Sequence, residues 1–176
     1  MEAWFESAIA DDEQCVEELL AADPGLLNRV HLQYERTALQ LAAAWYAPRV
    51  VAVLLTHGAD IHASDPEGLT ALHLAATSNC VSSLELLLRH HQQCQEQQRS
   101  STDTPKATRG NAVNQRTRGG FTPLLLAAAR GHHECCSLLL KLGGADPLVA
   151  LDTPPFSTAL DLALLGQHQK DEGVAL

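Results

Sequence analysis

Histidine and cysteine are the residue types here best suited to metal or nucleophilic chemistry, and they gather in two places. His132-His133 stands just ahead of Cys135-Cys136, and His90-His91 just ahead of Cys94. Imidazole and thiolate together are zinc ligands. The spacing, however, fits no zinc pattern across the five cysteines, Cys15, Cys80, Cys94, Cys135 and Cys136. An odd count without such spacing points to free thiols in a reducing compartment, the cytosol or nucleus. No nucleophile lies at a set spacing from a base, no glycine loop is built to cradle phosphate, and no carboxylates are paired for acid–base work. An enzyme, a cofactor and a metal centre are therefore not expected.

What positions these side chains is a repeated phrase. Thr70-Ala71-Leu72-His73-Leu74-Ala75-Ala76 matches Thr37-Ala38-Leu39-Gln40-Leu41-Ala42-Ala43, then Thr122-Pro123-Leu124-Leu125-Leu126-Ala127-Ala128, then Thr158-Ala159-Leu160-Asp161-Leu162-Ala163-Leu164. Thr37 to Thr70 is 33 residues and Thr122 to Thr158 is 36, whereas Thr70 to Thr122 is 52, one period with 19 to spare. A fixed period in this range is the mark of stacked supersecondary units. Each threonine is placed to cap a short helix. A second helix follows in the units before the last, with stripes such as Val50, Val51, Leu54, Leu55 and Val81, Leu84, Leu87, Leu88 facing inward. The last unit is incomplete, with Lys170-Asp171-Glu172-Gly173 where that helix should bury apolar residues. In the fourth unit Cys135, Cys136, Leu138, Leu139 and Leu140 fill that helix, so both cysteines are core residues packing as small hydrophobes.

The phrase and its spacing resemble the ankyrin repeat. The resemblance implies an all-α ankyrin-repeat solenoid of stacked helix-turn-helix units with hairpin fingers, forming one domain over 1–176. Its repeats run at about 1–33, 34–66, 67–118, 119–154 and 155–176, the first and last divergent. The surplus falls at 91–109, a polar stretch after the second helix of the third repeat. Residues 92–99 extend that helix and the remainder reads as flexible loop. Two departures stand out. Tyr46-Ala47-Pro48 replaces the family's Gly-His between helices, and because tyrosine lacks glycine's freedom at positive φ, a differently shaped turn is expected there. Residues 61–63 read as extended finger, and Asp60 and Asp146 recur because the finger turn recurs.

Charge narrows the function. With 21 acidic against 12 basic residues the net charge is −9, which disfavours nucleic acid as a partner. Acid is concentrated in the first thirty residues, where eight carboxylates face Arg29 alone, as suits a terminal cap. No charged segment followed by an apolar run opens the chain as a signal peptide would, and no stretch approaches the ~20 apolar residues that span a bilayer. A membrane is therefore not among the expected partners, and a monomer is the expected state.

The resemblance implies a non-catalytic protein-binding module, an adaptor, scaffold or inhibitor acting through its concave face and finger tips. In similar proteins the positions after each Ala-Ala face the groove, here Ala44 and Trp45, Thr77 and Ser78, Ala129 and Arg130. Trp45 is the leading hot-spot residue, because large aromatics and arginine dominate interfaces. The alternative is that Trp45 packs on the neighbouring repeat. Tyr46 beside it and the finger residues Tyr34, Asp65, Glu67, Arg118 and Phe156 complete the set. Asn114, and His62 by position, match the finger residue that an asparaginyl hydroxylase modifies in similar repeats. His73 is expected to hydrogen-bond the stack as in similar proteins, and His132 occupies the family's structural Gly-His position. The second functional reading is a targeting or regulatory domain of a longer enzyme or receptor, motivated by the ragged end at Leu176.

Overall fold

The first helices of repeats two to four begin at a threonine, Thr37, Thr70 and Thr122, because their first backbone N–H groups have no partner inside the helix. Thr37 Oγ1 accepts from Gln40 N–H and Thr122 Oγ1 from Leu125 N–H, both at 3.3 Å. The computed structural model describes residues 2–100, 112–148 and 158. Within them the chain runs α1 (Glu2–Ile9), α2 (Glu13–Ala22), α3 (Ala38–Ala44), α4 (Pro48–Thr56), α5 (Ala71–Thr77), α6 (Val81–Ser100), α7 (Pro123–Ala129) and α8 (His133–Lys141). Short 3₁₀ turns lie at Pro24–Leu26 and Ala112–Asn114. Helices α1, α3, α5 and α7 pack successively in one layer, and α2, α4, α6 and α8 in a second. This is the all-α stack of helical pairs that the phrase implied.

The core explains the phrase. Leu39, Leu41, Leu72, Leu125 and Leu139 are shut off from solvent, and Ala42, Ala43, Ala75, Ala76, Ala127 and Ala128 fill the spaces between helices. Alanine suits those positions because close-packed helix axes stand only about 8–10 Å apart. Cys135 is fully buried and Cys136 packs half-buried against the core, as expected. Leu140 departs from expectation and is exposed. It follows Leu139 by one residue, about 100° further round the helix, and so falls off the stripe that Cys135 and Leu139 define.

Polar links tie one inner helix to the next. Gln40 Nε2 donates to Leu69 O at 2.7 Å, and its Oε1 accepts from Thr37 N–H at 2.8 Å. One repeat on, His73 Nε2 lies 3.1 Å from Phe121 O. Its Nδ1 faces Thr70 N–H at 3.2 Å and the Thr70 hydroxyl at 2.8 Å. Two donors at Nδ1 leave the ring proton on Nε2, which then donates to Phe121 O. In the fourth repeat the same position is Leu125, which cannot make such a link.

Three expectations about backbone shape are settled. The turn at Tyr46 is not different: Tyr46 takes φ +60°, beside +57° at Asp11, +58° at Asn79 and +69° at Gly131. All four turns carry the same closing bond, Asp12 N–H to Ser7 O, Ala47 N–H to Ala42 O, Cys80 N–H to Ala75 O and His132 N–H to Ala127 O. This is the Schellman arrangement. The hydrogen bonds that end the helix offset the roughly 1–2 kcal/mol that a left-handed conformation costs a residue with a Cβ. The segment at 61–63 is not extended but turned, with His62 N–H bonded to the Asp60 carboxylate at 2.9 Å. Asp146 does the same for Leu148 N–H at 2.9 Å, so the finger turn does recur. Among the described residues pairing between extended segments is a single isolated bridge, Val30 with Thr37.

The helical extension after the third repeat is present, since α6 continues to Ser100. Residues 101–111 lie outside the described residues, as does the fifth repeat apart from Thr158.

Candidate functional site

The turn edge of the inner layer carries the largest side chains that the stack does not use. Of the two tryptophans, Trp4 is buried and Trp45 is 59% exposed, so Trp45 does not pack beneath a neighbouring repeat. Trp45 ends α3, its N–H closing on Leu41 O, and the left-handed residue that follows turns Tyr46 outward to 61% exposure. Tyr46 nevertheless has a partner, because its hydroxyl donates to the carbonyl of Ser78 in the next repeat. Arg130 reaches the same helix end from the other side, Nη1 donating to Thr77 O at 3.2 Å. Thr77 and Ser78 are half-buried between them. The final carbonyls of a helix lack internal partners and carry partial negative charge, which a guanidinium and a phenol both satisfy. The edge is thus an ordered row in which Tyr46 and Arg130 are fixed and Trp45 is displayed.

The finger edge is organised from a histidine. His31 Nδ1 accepts the N–H groups of Gln33 at 3.1 Å and Tyr34 at 3.2 Å. Its ring meets Phe5 edge-on at 4.7 Å and stacks on Tyr34 at 4.8 Å. Tyr34 and Val30 stay half-exposed, with Leu32 more bare beside them. Sequence reasoning passed over Val30 and Leu32, although apolar residues in a finger, outside the stacking phrase, are the signal for them. Glu67 and Arg118 are exposed. Asp65 is not: its side chain is 1% exposed, paired with Arg36 at 2.9 Å, and its other oxygen accepts Glu67 and Leu69 N–H at 3.1 and 2.8 Å. It builds the finger instead of presenting at its surface. Phe156 lies outside the described residues.

Asn114 and His62 also serve the frame. Asn114 Oδ1 accepts Asp146 N–H at 3.0 Å, and Asn28, unnoticed from sequence, makes the same bond to Asp60 N–H at 3.0 Å. His62 occupies the register between them, its ring 6.2 Å from that of His91. His132 Nδ1 lies 2.9 Å from Ala76 O, a link across the stack. Burial pushes the Cys135 thiol up to about 11, with Cys136, Cys80 and Glu134 adding to it. Burial raises Cys80 and Cys136 as well, so these thiols remain protonated near neutral pH and are poor nucleophiles. Among the described residues no three His, Cys, Asp or Glu side chains converge as metal ligands, and no helix is long and apolar enough to cross a membrane.

Comparisons with known proteins agree with this frame. The family pattern described as ankyrin repeats (3 copies) matches residues 5–98, and that of a single ankyrin repeat matches residues 119–152. The chain is similar to the nuclear factor NF-kappa-B p105 subunit of Gallus gallus, 32% identical over 96% of this chain and 18% of that protein. It is similar also to the probable E3 ubiquitin-protein ligase XBOS32 of Oryza sativa subsp. japonica, 33% identical over 62% of this chain and 25% of that protein. Rabankyrin-5 of Homo sapiens is 30% identical over 60% of this chain and 8% of that protein. The chain spans a quarter or less of each of these relatives.

Proposed function

Because this chain belongs to the ankyrin-repeat family, we propose that it is a non-catalytic module that binds a partner protein along its turn edge and finger tips. The observation that carries the reading is Trp45, a large side chain 59% exposed on a row whose other members are tied down. Tyr46 and Arg130 are held by the carbonyls of Ser78 and Thr77 at the C-terminal end of α5, so little rotamer entropy is left to lose when a partner covers them. Around Trp45 the binding set is Tyr46, Thr77, Ser78 and Arg130 on the turn edge, with Tyr34, Glu67 and Arg118 on the fingers. The buried thiols of Cys80, Cys135 and Cys136, held protonated, favour binding over thiol catalysis. The five free cysteines support a reducing compartment, cytosol or nucleus, as the setting.

Affinity purification from source cells with wild-type and Trp45→Ala chains tests this reading. The expected outcome is at least about tenfold lower recovery of a specific partner by the variant, as for a hot-spot residue. Urea unfolding should leave its stability unchanged. Equal recovery by a folded Trp45→Ala chain removes Trp45 from the interface. A second reading, that this module targets or regulates a longer enzyme or receptor, draws on the far greater length of its relatives. It predicts a natural coding sequence that continues in frame past Leu176.

A further inference from the structure

The junctions between successive fingers are laid out at equivalent positions and filled differently. Arg36, Leu69 and Phe121 each immediately precede a capping threonine, and Asp65 and Thr117 each stand five residues before one. Between the second and third repeats Arg36 reaches across to Asp65, with Nε and Nη2 both 2.9 Å from Oδ2, and fills the junction. Between the third and fourth, the same two positions are Leu69 and Thr117. Thr117 keeps the local duty of Asp65, its hydroxyl accepting Phe121 N–H at 3.1 Å, but Leu69 and Thr117 carry no charge with which to pair across the gap. What remains is a cleft of about 270 Å³ lined by Pro66, Leu69, Phe121 and Leu126, with Glu67 and Arg118 on its rim.

The cleft is held open by backbone. Arg118 N–H donates to Glu67 O at 2.9 Å, and a Cβ on Gly68 would come within 3.1 Å of Arg118 N and Thr117 Cα. The two finger tips are therefore locked together before any ligand arrives. Glu67 and Arg118 are exposed, and neither side chain makes a hydrogen bond or ion pair among the described residues. Pockets for free small molecules run to about 300–1,000 Å³ and enclose most of the ligand. A smaller, open cleft with an apolar floor suits one side chain delivered by a peptide.

We infer that the cleft between the third and fourth fingers is a subsite for one aliphatic side chain of an extended partner segment. That segment carries a carboxylate on one side of the anchor for Arg118 and a cation on the other for Glu67. The inference rests on the protein-binding reading above and adds the chemistry of the partner. The two rim charges fix the direction in which the segment lies more than they add affinity.

Titration of the ¹⁵N-labelled chain with short synthetic peptides, followed by amide shifts, tests the subsite. The peptides carry Glu-Leu-Lys, Lys-Leu-Glu or Glu-Ala-Lys at their centre. One of the two leucine peptides is expected to move the amides of Leu69, Gly119, Phe121 and Leu126. Alanine at the anchor should weaken binding about tenfold, as loss of a buried leucine side chain requires. The double variant Leu69→Arg with Thr117→Asp rebuilds the ion pair of the preceding junction, closes the cleft and should abolish the shifts. Glu67→Arg with Arg118→Glu, confined to the surface, should exchange the preference between the two leucine peptides. Shifts that persist in the closed variant, no response at the cleft amides to either leucine peptide, or no exchange in the charge-swapped chain would overturn the assignment. Shifts gathered at Trp45 instead would sink the cleft and leave the protein-binding reading standing, whereas that reading fails on the Trp45→Ala recovery experiment.

Discussion

The two edges of the stack solve the same repetition in opposite ways. At the turn edge Asp11, Tyr46, Asn79 and Gly131 occupy one left-handed backbone position, closed each time by the same main-chain hydrogen bond. Their side chains are then available for other work. Asp11 Oδ1 accepts Arg49 and Val50 N–H at 2.9 and 3.1 Å, capping α4, whose own N-cap residue, Ala47, provides no side-chain acceptor. Tyr46 bonds Ser78 O, and Asn79 Oδ1 takes the Cys135 thiol at 3.4 Å. At the finger edge the space between repeats is closed by side chains, by Arg36 with Asp65 in one junction and by nothing equivalent in the next. Where the backbone supplies the closure, sequence drifts without changing shape. Where side chains supply it, a substitution opens a cavity.

The sharpest way to break this contrast is at Asp65. Asp65→Ala removes an ion pair whose carboxylate is buried and whose Arg36 partner is half-buried, together with the acceptor for two backbone N–H groups, and urea unfolding should show a loss of about 3 kcal/mol. Thr117→Ala, at the equivalent position, forfeits one backbone bond and should cost only about 1 kcal/mol. Equal losses would mean that the two junctions are not closed differently. Next in size is a pH effect at the inner-helix link. Burial holds the His73 pKa below its ordinary 6.5, against the opposing influence of the Phe121 carbonyl. An unfolded chain therefore takes up this proton first as pH falls, so the stability from neutral His73 is present above 6.5 and is lost as pH drops through the folded value. His73→Gln, which copies the link of Gln40, should flatten the fall in unfolding midpoint between about pH 7.5 and about pH 5 relative to wild type. A slope identical to wild type would show that His73 does not titrate on unfolding.

Smaller effects test the turn edge. Asp11→Ala should cost about 1–2 kcal/mol by removing the cap on α4 and placing a Cβ without polar compensation in the left-handed region. Asp11→Asn, which keeps an acceptor, should leave the thermal midpoint nearly unchanged. Smallest of all, Tyr46→Gly exchanges a hydroxyl bond for relief of backbone strain and should stay within about 1 kcal/mol of wild type. A large loss there would mean that the side chain, not the main-chain bond, shapes the turn.

The stacking phrase made most of the frame legible. Threonine caps, inner helices, the core setting of Cys135 and the helical start of the insertion all follow from local pattern, which α-helical periodicity carries within a few residues. Some departures lie in bonds that a residue's own type does not reveal. Tyrosine's conformational preference disfavours the turn at Tyr46, yet a bond from Ala47 N–H to Ala42 O sets its shape. Asp65 read as a surface acid at a turn, because its partner Arg36 lies 29 residues away. The cap from Asp11 onto Arg49 spans 38 residues and left no local trace. Of the candidate site, Trp45 could be picked out as a large aromatic just past an Ala-Ala pair, and Arg118 by its place at a finger tip. The finger cleft could not, since it arises from comparing two junctions in three dimensions.

The third repeat also shows where this chain can change length. The link from Gln40 to Leu69 and that from His73 to Phe121 are the same bond in successive repeats, yet they span 29 and 48 residues. The difference is the whole of the 19-residue surplus, entered at the far end of α6, where the register from one inner helix to the next does not register it. In evolutionary terms this is a neutral port: sequence can be gained or lost there while selection on the stack sees no change. For a protein engineer it is the same opportunity, at the exposed stretch from Glu96 onward, beyond buried His91 and the Gln92 bond to Leu142 O, where a tag or a reporter domain can be spliced in without retuning its neighbours.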